Sequence, residues 1–213
     1  MKKVAIIGAA GQTMEWLEAR LANAEDVELT LFLRHSERID PAQFTVPLTV
    51  IDGDVRDAQA LQSAVQGQDM VVVGLEGALD EYTRLIIDAM DAVGAKRVAV
   101  ILGLGIYDEV PSEFGRWNAA YGGEGMNVFK RAAKNLEDSD LNYTILRAAW
   151  MSNRPEVNYE TTQKGETFRG TVITRASLAD YLVRLIDDPT LDNRASVGLD
   201  EPGTDGDRPT PFL

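Results

Sequence analysis

The chain has 213 residues, with 45% hydrophobic and 26% charged side chains, a formal net charge of −13, one histidine and no cysteine. That length supports one domain with a sizeable core; the negative charge argues against a nucleic-acid partner, whose phosphates need a basic face. Disulfides, thiolate nucleophiles and cysteine-ligated metals are excluded, and a single histidine leaves little for any transition-metal site.

The amino-terminal apolar run is too short for a secretory leader, and no stretch approaches the roughly 20 apolar residues of a membrane span. A cytoplasmic protein with no metal and no membrane contact is the expectation. The run Val4–Ile7, ending at Gly8, reads as a buried strand over 3–8. Gly8-Ala9-Ala10-Gly11-Gln12-Thr13-Met14 follows, and Trp16, Leu17, Ala19, Arg20 and Leu21 then switch to helical spacing, giving a helix over 12–24. A glycine-bearing turn between strand and helix has the form of a nucleotide-phosphate cradle. Gly8 permits the tight turn, Gly11 lets the backbone approach a pyrophosphate, and the exposed N–H groups at the positive end of the helix hold it. Gly8, Ala10, Gly11, Gln12, Thr13 and Met14 are the residues this assigns. The spacing is G-x-x-G rather than G-x-G-x-x-G, with Met14 in place of the third glycine, and a structural turn without ligand is the competing reading.

A second strand over 27–33 ends in Arg34-His35-Ser36, with Arg38 beyond. In a dinucleotide-binding unit the residue at this point meets the adenine ribose: an acidic side chain bonds the 2′-hydroxyl, whereas arginine accommodates a 2′-phosphate. NADP rather than NAD is therefore expected, with Arg34 as the main determinant and His35 and Ser36 beside it; a solvated loop arginine is the alternative. A third strand over 48–52 leads to Asp52-Gly53-Asp54-Val55. Here a carboxylate such as Asp54, next to Val55, faces the adenine amino group, or else Asp54 or Asp57 caps the helix over 57–66.

The strand over 69–74 ends at Gly74-Leu75-Glu76-Gly77, where Gly74 and Leu75 pass the ribose and nicotinamide side. A helix over 80–94 closes on Gly94, and the strand over 97–102 delivers Leu102 and Gly103 to the same edge. The glycine-rich segment 103–123, with Tyr107, Phe114, Trp117 and Tyr121, reads as a long loop. Its aromatics either form a flat pocket for a ring-shaped substrate or pin the loop to the body. A helix over 124–138, a strand over 142–147, a helix over 175–187 capped by Thr174 and followed by Pro189, and a strand over 195–199 complete the alternation. The tail from Asp200 through Pro211 reads as an extended terminal segment. The expected fold is α/β, a doubly wound parallel, Rossmann-like sheet with helices on both faces. The whole of 1–213 is read as one domain, with a core over 1–150 and a smaller substrate-side region over 151–213.

Taken together, the pattern resembles the atypical short-chain dehydrogenase/reductase superfamily, in particular NmrA-like and related NAD(P)-binding proteins. Four segments carry the resemblance: Val4–Met14 with Arg34; Gly53-Asp54-Val55-Arg56-Asp57; Leu136–Trp150, where Leu141-Asn142-Tyr143-Thr144-Ile145-Leu146-Arg147-Ala148-Ala149-Trp150 is similar to the family's LxYTILRPxx strand and turn; and Gly170-Thr171-Val172-Ile173-Thr174-Arg175-Ala176-Ser177-Leu178-Ala179-Asp180, similar to its I(S/T)RxxVAD helix start. The resemblance implies NAD(P) at the strand carboxyl ends, a small carboxyl-terminal region over the nicotinamide, and contact from Ala148, Ala149 and Trp150, with Ala148 standing where the family has proline. Arg147 reads as a buried ion-pair residue.

One departure bears on chemistry. Dehydrogenases of this superfamily move a proton with Ser, Tyr and Lys, the last two spaced Y-x-x-x-K so that the lysine lowers the tyrosine pKa. Aligned on Leu141–Arg147, those positions fall near Gly103, Gly125 and Phe129. A slip of one residue brings Lys130 to the lysine position but Met126 opposite the tyrosine. Tyr107, Tyr121, Lys130 and Lys134 remain without the required spacing; Tyr107 and Lys130 are the catalytic candidates, and a solvated basic stripe is the competing reading for Lys130 and Lys134.

The function expected is an NADP(H)-dependent oxidoreductase moving hydride to a small cyclic or carbonyl acceptor protonated by solvent. A non-catalytic NADP(H)-sensing regulator like NmrA is the alternative, and a sugar-nucleotide epimerase or dehydratase a weaker one. NADPH is expected to bind more tightly than NADH. A small-molecule substrate or redox ligand is the expected partner, with a homodimer or a regulatory protein partner left open.

Overall fold

Strand β1 (Lys2–Ile7) lies between β2 (Val27–Leu33) and β4 (Met70–Val73), and from this point the chain winds outward in both directions. A computed structural model describes residues 1–209. Beyond β2 lies β3 (Leu48–Asp52); beyond β4 lie β5 (Arg97–Gly103), β6 (Asn142–Ala148), β10 (Ala195–Asp200) and β8 (Glu160–Gln163). The eight-stranded sheet is parallel except for β8, which runs antiparallel to β10. A separate parallel pair joins β7 (Trp150–Ser152) to β9 (Val172–Thr174).

The apolar runs of β1 and β4 are buried along their whole sequence because helices cover both faces. On one face Val4, Ile6 and Leu29 meet α1 (Gln12–Leu21) and α5 (Arg175–Asp187); on the other Ala5, Ile7 and Val71 meet α2 (Ala58–Val65), α3 (Leu79–Val93) and α4 (Ser112–Asp138). Alternate residues of each strand serve opposite layers, as the period of two requires. Local signals set several helix ends. Asp57 caps α2 by accepting from the N–H groups of Gln59 and Ala60, Thr174 caps α5 through the Ser177 N–H, and Gly94 ends α3 at φ 76°. Asp54 instead accepts from the Arg56 N–H.

The segment 103–123 is not one long loop. Helix α4 starts at Ser112 and runs to Asp138, with a break at Gly123 (φ 47°, ψ −128°). Its glycines mask the helical pattern, yet Gly115 has a packing reason: a Cβ there would lie 2.1 Å from the Val110 carbonyl oxygen. Burial of Phe114 and Asn118 outweighs the poor propensity. Strands β7, β8 and β9 also lie outside the sequence-based expectation, because segments of three or four residues carry too little periodicity. Helix α1 ends at Leu21, short of 24. Of the tail, Thr204 bonds Thr171 and Asp205 bridges Gly170, while 210–213, including Pro211, lie outside the described residues. Among the described residues, no helix is long and apolar enough to cross a membrane, and no cluster of metal-ligating side chains occurs.

Candidate dinucleotide site at the strand carboxyl ends

The reversal of winding between β1 and β4 leaves a cleft of about 1230 Å³ at the carboxyl ends of the strands, where such sheets open to ligands. Gly8 stands at its base with φ 88°, and a Cβ there would lie 2.5 Å from the Gly74 carbonyl oxygen. Only glycine allows the two strand ends to approach this closely.

The turn after Gly8 is held from beneath. Ala10 has φ 56°, an unfavourable left-handed conformation for alanine. Its N–H donates to Glu18 Oε1 at 2.8 Å, and its carbonyl accepts from the Arg38 guanidinium. Glu18 is only 6% exposed; burial pushes its carboxyl pKa up, and the Ala10 N–H pulls it back. Gly11 caps α1 with its backbone, and the first intrahelical bond runs from the Glu15 N–H to the Gly11 carbonyl. The N–H groups of Gln12, Thr13 and Met14 precede that bond and form the positive end of the helix.

Gly8, Ala10, Gly11, Gln12 and Thr13 all line the cleft. Met14 does not: its side chain is fully buried against Gly74, where a Cβ would come within 2.7 Å of it. Helical periodicity turns this residue inward, so only its backbone is positioned for a ligand. Ser36 is also absent from the cleft wall. It opens a short 3₁₀ turn (Ser36–Arg38), and its N–H donates to Asp52 at 2.8 Å, holding that carboxyl below its ordinary pKa.

Arg34, His35, Arg38, Asp54 and Val55 line one end. The Arg34 side chain is 74% exposed, and its Nη1 lies 3.8 Å from Asp54 Oδ2, so the guanidinium keeps most of its donor capacity. Gly74 and Leu75 form the middle. At the other end stand Leu102, Gly103, Ala148, Ala149 and Trp150. Gly103 faces Phe129 so closely that a Cβ would lie 2.8 Å from the ring. Gly125, Met126 and Phe129 of α4 complete this wall. Trp117 stacks on Tyr121 at 5.3 Å, and the Tyr121 ring meets Trp150 edge-on at 5.0 Å. Asn118, buried beneath them, donates to the Leu104 carbonyl and accepts from the Trp150 indole N–H.

The structure places Tyr107 and Lys130 outside this cleft. The Tyr107 hydroxyl donates to Glu137 at 2.6 Å, and burial pushes its pKa well above that of a free phenol, so it is a poor proton carrier. Lys130 pairs with Asp108 at 2.9 Å, and Lys134 with Asp138. Arg147 forms a fully buried ion pair with Glu109 at 2.9 Å. Sequence reasoning gave no role to Glu18 or Asn118. Only the i, i+8 distance from Ala10 to a glutamate on the inward face hinted at the first; the second carried no local signal.

A doubly wound sheet with a glycine turn feeding a helix amino terminus at its switch point defines a dinucleotide-binding protein of the Rossmann class. The chain matches the NAD(P)H-binding family over residues 8–189, and it belongs to that family. It is similar to a Rossmann-fold NAD(P)-binding family protein from Shigella flexneri, with 37% identity, all of both chains covered and a TM-score of 0.83. It is also similar to a wide-type short-chain dehydrogenases/reductase from Veillonella parvula DSM 2008 in complex with NADP, with 30% identity, 98% and 99% of the two chains covered and a TM-score of 0.92. A curated relative, "Uncharacterized sugar epimerase YhfK" of Bacillus subtilis (strain 168), is 26% identical over 203 residues, 91% of this chain and 92% of that protein. Family and fold thus agree with the resemblance stated from the sequence.

Proposed function

We propose that this protein is an NADPH-dependent reductase of the cytoplasm that reduces a flat cyclic or carbonyl acceptor without a Ser/Tyr/Lys proton relay. The observation that carries the proposal is the wall around Gly103: where relay side chains are expected stand Gly103, Gly125 and Phe129, with Trp150 and Met126 beside them.

The donors present fit a pyridine dinucleotide. The backbone N–H groups of Gln12, Thr13 and Met14 would hold a diphosphate, and the close packing of Gly8 on Gly74 keeps the base of the cleft open to it. Arg34 and Arg38 would take the 2′-phosphate, since a planar fork matches that group. Bound there, the reduced nicotinamide supplies hydride. The chain's own part is positional: Ala148, Ala149 and Leu102 form an apolar floor, and Trp150 and Phe129 exclude water from the sides. With no paired tyrosine and lysine on this wall, the acceptor's proton is drawn from solvent, which suits flavins and quinones.

The same want of a paired tyrosine and lysine favours, as a second reading, an NADP(H)-sensing regulator, which needs different affinities for two states of the protein and no turnover. It argues against an epimerase, whose sugar hydroxyl requires a base. Fluorescence titration with NADPH and NADH tests the cofactor: tighter NADPH is expected, and Arg34→Ala should weaken NADPH roughly ten- to a hundred-fold while leaving NADH little changed. Equal affinities, or tighter NADH, would overturn the assignment. NADPH oxidation in the presence of FMN, a quinone and simple carbonyl compounds separates the two readings, since binding without any turnover favours the regulator.

A further inference from the structure

Arg175 is the first residue of α5, directly after its N-cap Thr174, and it lines the cleft together with Met151 and Trp150. This is a costly place for a cation. The unpaired N–H groups and the dipole of the helix put positive charge there. Burial pulls the guanidinium below its ordinary pKa. Its Nε is buried with no hydrogen-bond partner. No carboxylate offsets these terms by contact: the side-chain partner of Arg175 is the neutral Asn153, Nη1 to Oδ1 at 2.9 Å. The carboxylate whose charge supports it is Glu76, on the loop after β4, which is also a cleft residue but forms no ion pair with it. Arg147, near the carboxyl end of β6, shows the contrast, with Glu109, Ser196 and the Thr162 carbonyl all accepting from it.

We infer that Arg175 is an anion-binding residue, receiving the oxyanion group, phosphate or carboxylate, of a ligand that lies in the cleft. The inference rests on the reading of this cleft as the site of NADPH and an acceptor. An oxyanion in the cleft offsets the unfavourable charge: it neutralises the guanidinium, accepts from Nη2, which Asn153 does not engage, and sits favourably at a helix amino terminus. Unsatisfied polar groups of this kind are tolerated where function requires them. Two sources share the chemistry, a phosphate of the cofactor and an acidic group on the acceptor.

The test uses the full chain and the variants Arg175→Gln, Arg175→Lys and Glu76→Gln. NADPH affinity is read by fluorescence titration. FMN and riboflavin, which share a ring and differ by one phosphate, are titrated into protein saturated with NADP⁺. If Arg175 meets the cofactor, Arg175→Gln weakens NADPH roughly ten- to a hundred-fold; if it meets the acceptor, FMN loses its advantage over riboflavin by a similar factor while NADPH is unaffected. Arg175→Lys, which keeps the charge and loses the fork, recovers part of either loss. The melting temperature of ligand-free Arg175→Gln should equal or exceed that of the parent, because the unfavourable charge has gone.

Unchanged NADPH affinity together with no FMN preference to lose overturns the inference, as does a marked fall in the ligand-free melting temperature, which would make Arg175 a structural residue. Equal losses in Glu76→Gln also overturn it, by assigning Arg175 to a charge pair across the cleft. Failure of the parent protein to bind NADPH instead removes the cofactor reading and this inference with it, so the two failures are told apart.

Discussion

The carboxylate of Glu18 on α1 accepts a hydrogen bond from the backbone N–H of Ala10, eight residues earlier in the turn that feeds the same helix. The helix thereby fixes the geometry of its own amino-terminal loop. One N–H is withdrawn from the set facing the cleft, and in exchange the left-handed Ala10 is locked, so that the donors of Gln12, Thr13 and Met14 keep one orientation.

Glu18→Ala is accordingly expected to cost about 1–3 kcal/mol of stability, the range for a buried backbone donor left unpaired, and to weaken NADPH binding. Adding Ala10→Gly should recover part of both, since glycine adopts φ 56° without strain. Urea unfolding and cofactor titration on the single and double variants check this, and indifference of both quantities to Glu18→Ala would refute the role given to the loop.

The buried pair of Arg147 and Glu109 organises the chain after β5. Glu109 accepts from the N–H groups of Gly105 and Tyr107 as well as from Arg147, so one carboxylate folds the turn and satisfies a guanidinium with no solvent access. Glu109→Gln keeps the shape but removes the charge, and a loss near 3–5 kcal/mol is expected from a broken buried pair. Chemical denaturation measures it; a loss within experimental scatter would contradict the assignment.

Gly103 and Phe129 occupy one volume between them. A Cβ on Gly103 would press on the ring at 2.8 Å, so Gly103→Ser should destabilise by about 1–3 kcal/mol through overpacking. Phe129→Ala in the same chain should offset much of that. A double-mutant cycle on unfolding free energy is the measurement, and strict additivity would show that the two residues do not compete.

Asp200 ends β10 with a carboxyl group almost free of solvent contact. Its Oδ2 accepts from the Gly170 N–H at 3.0 Å, and its Oδ1 has no hydrogen-bond partner. Burial, reinforced by the neighbouring Glu160 and Asp205, raises its pKa from 3.8 to about 7. The folded protein holds this proton more tightly than the unfolded chain does. The stability it contributes is therefore full below about pH 4 and is lost as pH rises through about 7. Asp200→Asn keeps an acceptor for Gly170 and removes the ionisation. The variant should be more stable than the parent at about pH 8 and show a flatter decline from about pH 5 in urea-denaturation midpoints; parallel pH profiles would dismiss Asp200 as the cause.

What the sequence displayed depended on how local the cause was. The apolar runs of β1, β4 and β5 were legible because strands buried on both faces leave no alternation to misread. Thr174 and Gly94 were legible because a cap or a left-handed residue is a contact within one turn, and of the two aspartates offered for α2 the structure selects Asp57. The first half of α4 was hidden because its stability comes from Phe114, Asn118 and the Trp117 stack, not from propensity. Met14 looked like part of the phosphate turn by position, while its packing against Gly74 is a tertiary matter. Arg34 announced itself by standing at the end of a strand. Arg38 stood beside it in the sequence, but its bond to the Ala10 carbonyl spans 28 residues and left no local trace, and Asn118, which joins two walls, has no sequence neighbour that would reveal it.

Strands β10 and β8 continue the principal sheet past β6, so the residues after 150 are woven into the same plate as Gly8 and Gly74. Gly8 and Gly74 on one bank and Gly103 and Ala148 on the other are borne on that plate, while Met151 and Arg175 are carried by the β7–β9 pair and the helix that follows it. A version shortened after β6 would forfeit the bank carrying Met151 and Arg175 and bare a long sheet edge at the same stroke.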